Sequence, residues 1–195
     1  MRYTLLQRLR KRLFFNCADV AELFNIKQKS AWVLCNRYVK KGISIRLKKD
    51  TYTLEDNWLV WREEDFLKLS NFLQVPSYIS FMTALSFYEV TTQQQRNFFE
   101  SACIKRTRRL NIKGVVFNFY KLNRKYYFDF IKKNNIFIAT KEKAFVDSVY
   151  LYSFGKYKLD FNSLDLDKLD KKCITQIIQN YPDKTKSIIK KICRI

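Results

Sequence analysis

The amino-acid sequence predicts an α+β protein in two parts, a small helical N-terminal domain that closes with a β-hairpin and a larger mixed α/β C-terminal domain. Three observations carry this. Up to about residue 42 there are three stretches with helical apolar spacing, the last ended by Gly42 and followed by two short alternating runs. Beyond about residue 60 come segments rich in β-branched and aromatic residues, "NFFESACI", "VVFNFYKL" and "IFIA", set among helical stretches. A length of 195 residues with 47% hydrophobic content is enough for one large or two small packed domains.

The N-terminal elements follow in order. Leu5, Leu6, Leu9 and Leu13 mark one face of a first helix, with Arg8, Arg10, Lys11 and Arg12 mainly elsewhere around it. Asn16 suits an N-cap and Asp19 the positive end of the helix dipole, so a short second helix buries Val20, Leu23 and Phe24. "FNIKQ" makes a turn in which Asn25 adopts a left-handed conformation and Ile26 plugs the corner. The third helix runs from about Gln28 to Lys41. Ala31, Leu34, Cys35 and Tyr38 face inward, while Lys29, Val33, Asn36 and Lys40 face out, flanked by Ser30, Trp32 and Arg37. Trp32 is expected to pack in the core or between domains. Ile43, Ile45 and Leu47 then alternate with Ser44, Arg46 and Lys48, and Thr51 to Leu54 returns as a second strand behind a Lys48-Lys49 tip.

A helix followed directly by a cation-tipped hairpin is the order of a winged helix-turn-helix, assigned to residues 1–57. Its candidate DNA contacts are Lys29, Ser30, Val33, Asn36, Arg37 and Lys40 on the third helix, which a major groove admits, and Arg46, Lys48 and Lys49 on the wing.

Residues 58–195 form the larger domain. "WLVWREEDFLKLSNFL" is amphipathic, with Leu59, Phe66, Leu69 and Leu73 for packing and Glu63, Glu64 and Asp65 exposed. "PSYISFMTALSFYEV" is expected to be a helix following Pro76. The three strands are separated by the basic loop Lys105 to Arg109 and by "NRKYYFDFIKKNN". "TKEKAFVDSVYLYSF" begins with Thr140 as N-cap and is apolar nearly all round, a buried helix. The last thirty or so residues suggest two polar-faced helices broken near Pro182.

Charge and absences restrict function. Lys+Arg outnumber Asp+Glu by 38 to 18, a net +20 that draws polyanions. Residues 1–50 hold 13 Lys+Arg against 3 Asp+Glu, which favours the N-terminal part as the polyanion reader. With no histidine, His-dependent general-base catalysis, His-activated nucleophiles and imidazole metal ligation are excluded. Cys17, Cys35, Cys103, Cys173 and Cys193 never fall in a CxxC spacing, so no zinc site is expected and the thiols are read as reduced and mostly buried. No apolar run approaches the roughly 20 residues that cross a bilayer, and the N-terminus lacks a signal peptide's apolar region. A cytoplasmic protein without cofactor is expected.

Glu142, Lys143 and Asp147 resemble fragments of a metal-dependent nuclease site. On a helix, however, Glu142 and Asp147 point about 140° apart, so Glu142 is assigned to the helix N-terminus and Asp147 to a pair with Lys143 one turn back. No catalytic residue and no metal ligand is assigned.

"FNCADVAELFNIKQKSAWVLCNRYVKKGISIRLKKDTYTL", "VPSYISFMTALSFYEV" and "ATKEKAFVDSVYL", in this order, resemble the AbiEi family of antitoxins from type IV toxin-antitoxin and abortive-infection systems. The resemblance spans roughly Phe15 to Leu151. Its most particular part is Pro76 to Ser80 followed by Ala139-Thr140, Glu142-Lys143-Ala144 and Asp147. It implies a transcriptional autorepressor whose winged helix binds inverted repeats in its own promoter and whose C-terminal domain neutralises a nucleotidyltransferase toxin, without being an enzyme itself. Lys105, Arg106, Arg108 and Arg109 are the surface considered for toxin contact. Three departures stand out: Asp50 at the wing tip and Glu89 after "SFY", where similar sequences often have Gly, and Gln94-Gln95 in place of a more apolar loop. The alternative is a winged-helix regulator unconnected with a toxin.

Overall fold

The computed structural model describes residues 5–93 and 95–195, so Gln94 lies outside the described residues. They are 50% helical and 22% strand, an α+β chain in two units, Met1–Phe66 and Leu67–Ile195.

In the first unit residues 5–11 are helical and bury Leu6 and Leu9. The helix ends at Lys11 rather than reaching Leu13, because Phe15 is drawn into an antiparallel bridge with Tyr52, with N···O distances of 2.9 and 2.8 Å. Asn57 Nδ2 takes up the carbonyls of Arg10 (3.0 Å) and Arg12 (3.2 Å) that this termination leaves unbonded. Helix α1 (Cys17–Phe24) opens with a reciprocal cap: the Asn16 side chain accepts from the Asp19 N–H and the Asp19 carboxylate accepts from the Asn16 N–H. Asn25 is left-handed, with φ 49°, and turns the chain into α2 (Gln28–Lys40). Gly42, at φ +67°, ends α2: its N–H returns to Val39 and that of Ile43 to Tyr38, a Schellman closure.

Strands β1 (Ser44–Lys48) and β2 (Thr51–Leu54) pair antiparallel, with the register slipping by one residue at Leu47. The two residues between them are Lys49 and Asp50, so the tip is one residue further along than the expected Lys48-Lys49. Asp50 takes the left-handed conformation (φ 52°), and its carboxylate accepts the Cys17 N–H at 3.1 Å. A glycine there would turn as easily but would not tie the hairpin to the start of α1.

The expected single amphipathic helix after the hairpin is two, α3 (Glu55–Val60) and α4 (Glu63–Leu73). Trp61 is extended between them, and the Asp65 carboxylate caps the restart by accepting the Arg62 N–H at 3.0 Å. Leu59, expected to pack, is 74% exposed. The Trp58, Trp61 and Phe66 rings lie 5.0–5.4 Å apart, which keeps the chain with the first unit as far as Phe66, beyond the residue-57 boundary read from the sequence.

The second unit is built on a six-stranded mixed sheet of β3 (Ser77–Ile79), β4 (Phe98–Cys103), β5 (Arg108–Ile112), β6 (Val115–Lys121), β7 (Phe130–Lys133) and β8 (Ile136–Ala139), in the order β5-β6-β4-β3-β8-β7. β3 runs parallel to β8 and β4 to β6; the other pairs are antiparallel. Three expectations change. Ser77–Ile79, assigned to a helix, is a central strand: its residues pair with β4 on one side and β8 on the other, and α5 (Phe81–Phe87) starts only afterwards. Arg108 and Arg109, assigned to a loop, begin edge strand β5. Phe130–Lys133, assigned to a connection, is the opposite edge. Edge strands carry fewer buried side chains, so their alternation is weak in sequence. α6 (Lys141–Ser153) is buried along nearly its whole length behind the Thr140 cap, and α7 (Lys171–Ile177) and α8 (Asp183–Cys193) flank Pro182 as expected. All five cysteines are free, with Cys173 alone exposed. No helix among the described residues is long and apolar enough to cross a membrane.

Candidate functional site

The inward face of α2 settles where its other side chains go. Ala31, Leu34, Cys35 and Tyr38 are buried against Leu6, Leu9, Phe15, Val20 and Tyr52. At 100° per residue this leaves Lys29, Ser30, Val33, Asn36, Arg37 and Lys40 on the other side, and all six are exposed. Trp32 is 49% exposed on the flank of that face, which excludes the core as one of its two expected places. Beside the face runs a groove of about 400 Å³ lined by Phe24, Ile26, Ser30, Val33, Leu34 and Arg37. Phe24, expected to be buried, and Ile26, expected to plug the corner, are both only half-buried, because a half-buried apolar side chain at a turn carries no distinctive sequence signal.

On the hairpin Arg46 and Lys49 are exposed, whereas Lys48 is half-buried and its burial lowers the pKa of its amine. Lys48 is therefore the least available of the predicted cations. Among the described residues no carboxylate lies within ion-pairing distance of Lys29, Arg37, Lys40, Arg46 or Lys49. The earlier basic run is partly engaged: Arg10 lies 3.6 Å from Asp56, and Arg12 pairs with Asp19. Free cations on one helix face and a hairpin are suited to phosphates; cations held by carboxylates are not.

Lys105, Arg106, Arg108 and Arg109, the four cations considered for toxin contact, are all exposed but do not form one face. Lys105 and Arg106 sit in the turn after β4, where the Arg106 carbonyl is fixed by Gln74 Nε2 at 2.9 Å. Arg108 and Arg109 are successive residues of β5 and project to opposite faces of the sheet.

The two motifs that carry the family resemblance meet in the interior of the second unit. Lys143 and Asp147 on α6 form a fully buried ion pair. Asp147 also accepts from Tyr78 and Ser80 (both 2.9 Å) and Tyr181 (3.3 Å), and the Lys143 ammonium donates to the Tyr78 hydroxyl at 3.0 Å. Three rings, Tyr78, Phe128 and Tyr181, stand 5.3–5.8 Å from that ammonium. Burial pushes the Lys143 amine down, and the adjacent Asp147 opposes this. Burial also pushes the Tyr78 and Tyr181 hydroxyls up. Glu142 points elsewhere, accepting the Asp170 N–H at 3.0 Å. Among the described residues no three His, Cys, Asp or Glu side chains converge as a metal site would need.

Ser80 precedes α5 as its N-cap but spends its hydroxyl on Asp147, and Glu100 on β4 takes over the cap by accepting the Met82 N–H at 3.2 Å. Glu100 is 2% exposed, and this burial raises its carboxyl to about 7 against the Tyr157 (2.7 Å) and Tyr120 (3.3 Å) hydroxyls that favour the anion. It forms the floor of an open cavity of about 430 Å³ walled by Gln95, Tyr120, Lys156, Tyr157 and Lys158. The sequence signal for Glu100 was its position as the one charged residue in "NFFESACI".

Comparison of the chain with protein-family models, with curated proteins and with solved structures finds no match.

Proposed function

We propose that the chain is a DNA-binding transcriptional autorepressor and antitoxin of a type IV toxin-antitoxin system, acting against a nucleotidyltransferase toxin. The observation that carries the DNA-binding half is the outer face of α2. Its polar and cationic side chains are exposed without carboxylate partners, and they are followed directly by a hairpin that exposes Arg46 and Lys49. On this reading residues up to the hairpin are a winged helix-turn-helix: α1 and α2 are the two helices of the motif, α2 enters the major groove, and β1 and β2 form the wing against the backbone. The antitoxin half is supported by the family resemblance. The two motifs that carry it lie far apart in sequence yet share one buried network, so they act as a single constraint on the second unit.

The two activities are expected to separate by surface. Full-length chain with Arg37→Ala, Lys40→Ala and Lys49→Ala should fail to repress a reporter driven by its own promoter yet still protect cells from a nucleotidyltransferase toxin encoded beside it. The Lys105→Ala, Arg106→Ala and Arg109→Ala variant should do the reverse. Repression that survives the first set removes the DNA-binding assignment. Protection lost with the first set and kept with the second reverses the division of labour.

A further inference from the structure

The exposed face of α2 is not uniformly polar. Val33 is 59% exposed and stands among Lys29, Ser30, Asn36, Arg37 and Lys40, with the groove formed by Phe24 and Ile26 beside it. A β-branched aliphatic side chain gains nothing from water at such a position, and the buried face of α2 is already filled by Ala31, Leu34, Cys35 and Tyr38. By the helical period Val33 lies within about 30° of the line opposite the buried face, whereas Trp32 lies about 70° from it. Val33 is therefore an apolar residue within the outward face, which it shares with Lys29, Asn36 and Lys40, and donors and cations flank it.

That arrangement matches one feature of double-stranded DNA. Of the base edges in a major groove only thymine presents a methyl group, and small apolar side chains are what contact it. We propose that Val33 reads the 5-methyl group of a thymine, resting on the DNA-binding reading above. Arg37 lies one turn further along, about 70° from that line on the side away from Trp32 and at the edge of the groove, a rise of about 6 Å, which corresponds to about two base-pair steps of 3.4 Å. The side chain suited to guanine O6 and N7 is then Arg37, so the element read by this stretch of α2 is a thymine and a guanine about two steps apart. Ser30 and Asn36 flank Val33 and supply hydrogen bonds to neighbouring edges. The flanking cations set the occupant as nucleic acid rather than an apolar peptide, since Lys29, Arg37 and Lys40 lie beside Val33 without a carboxylate of their own among the described residues.

The test uses the full-length chain. Duplexes are selected from a random library by binding to the protein, and each thymine of the enriched sequence is then replaced by deoxyuracil, which lacks only the methyl group. Affinity is measured by competition for the wild type and for Val33→Ala, with circular dichroism melting to show that the variant is folded. The expected result is a thymine whose methyl contributes about three- to five-fold to wild-type affinity, the value of one buried methyl group, and contributes nothing in Val33→Ala. Selection repeated with Val33→Ala should lose the preference at that position and keep the guanine. An enriched sequence in which no thymine is sensitive overturns the proposal. Sensitivity that persists in Val33→Ala, or disappears in Trp32→Ala instead, overturns it as well. If no sequence is enriched at all, the sequence-specific reading itself fails and the proposal falls with it, an outcome distinct from the other two.

Discussion

Removing the Asp147 carboxylate is expected to be among the most damaging single changes in the second unit. Asp147 is fully buried and accepts from the Lys143 ammonium and from the hydroxyls of Tyr78, Ser80 and Tyr181. Asp147→Ala strands an ammonium and leaves up to three hydroxyls short of an acceptor, and each unsatisfied buried group costs about 1–3 kcal/mol. Tyr78 and Ser80 recover part of this by rotating, so the net loss is set at about 3–5 kcal/mol, the usual cost of breaking a buried pair. With a urea m-value of about 2 kcal/mol/M for a unit of this size, the midpoint falls by about 1.5–2.5 M. The assay is urea unfolding followed by circular dichroism, which reports both units, and by tryptophan fluorescence. Trp32, Trp58 and Trp61 all lie in Met1–Phe66 and report that unit alone. Lys143→Met with Asp147→Leu removes both charges, and should recover at least half of the loss because apolar side chains of similar volume fill the same space. A shift below about 0.5 M for Asp147→Ala would refute the reasoning. A double variant no more stable than Asp147→Ala would show that packing, not the uncompensated charge, sets the cost.

Three other outcomes are expected. If Lys29, Arg37, Lys40, Arg46, Lys48 and Lys49 give about six phosphate contacts, log affinity for DNA falls with log salt at a slope of about −5; binding that is flat between low and physiological salt contradicts this. The half-burial of Lys48 further predicts that Lys49→Ala flattens the slope more than Lys48→Ala does. Asn36→Ala should weaken binding to the selected sequence by about 1–3 kcal/mol while leaving random DNA nearly unaffected, since an exposed Asn pairs bidentately with adenine; equal losses in a filter-binding assay would make Asn36 a backbone contact. Glu100, raised from 4.5 to about 7, binds its proton more tightly folded than unfolded, so its contribution is full below about pH 4.5 and is lost as pH rises to about 7. That span corresponds to about 3 kcal/mol; thermal melts of Glu100→Gln should lack the decline that the wild type shows between pH 5 and 8, and parallel profiles would remove the assignment.

What the sequence made legible divides by range of interaction. The cap at Asn16 and Asp19, the left-handed Asn25, the stop at Gly42 and the buried face of α2 all depend on residues within a few positions of one another and appear where the pattern put them, whereas on α1 Val20 is buried but Leu23 and Phe24 are only half-buried. Ser77–Ile79 failed because only partners on β4 and β8, far away in sequence, make it a strand; alone, "PSYISFMTAL" has an apolar density that suits a helix. Charge counting depends on where the unit ends. Residues 1–50 hold half of the net charge, but Glu55, Asp56, Glu63, Glu64 and Asp65 fold with them. The unit Met1–Phe66 therefore has 14 Lys+Arg against 8 Asp+Glu, and Leu67–Ile195 has 24 against 10. Net charge does not single out the first unit, so the DNA-binding reading rests on cations that have no carboxylate partner among the described residues and lie on one helix face.

The corner between β3 and α5 concentrates several costs that have one cause. Ser80 gives up its cap to reach Asp147, and Phe81 next to it sits at φ 58°, a left-handed conformation that a bulky side chain adopts only under constraint. Glu100 is buried without a cation partner among the described residues and bonds the Met82 N–H that Ser80 leaves open. Each is unfavourable alone, and together they let the chain leave the centre of the sheet at a sharp angle, with Phe81 edge-on to Tyr120 and tilted against Tyr157 and the Tyr78 and Ser80 hydroxyls aimed at Asp147 on α6. The strain is held by the network that needs it: without Asp147, Ser80 regains its cap and Phe81 has less reason to remain left-handed. A local rearrangement at β3 therefore accompanies the loss of stability. Amide exchange at Tyr78 to Met82 should rise in Asp147→Ala at urea concentrations far below the unfolding midpoint, and fall again in the Lys143→Met, Asp147→Leu variant, which leaves no stranded ammonium and refills the space beside β3.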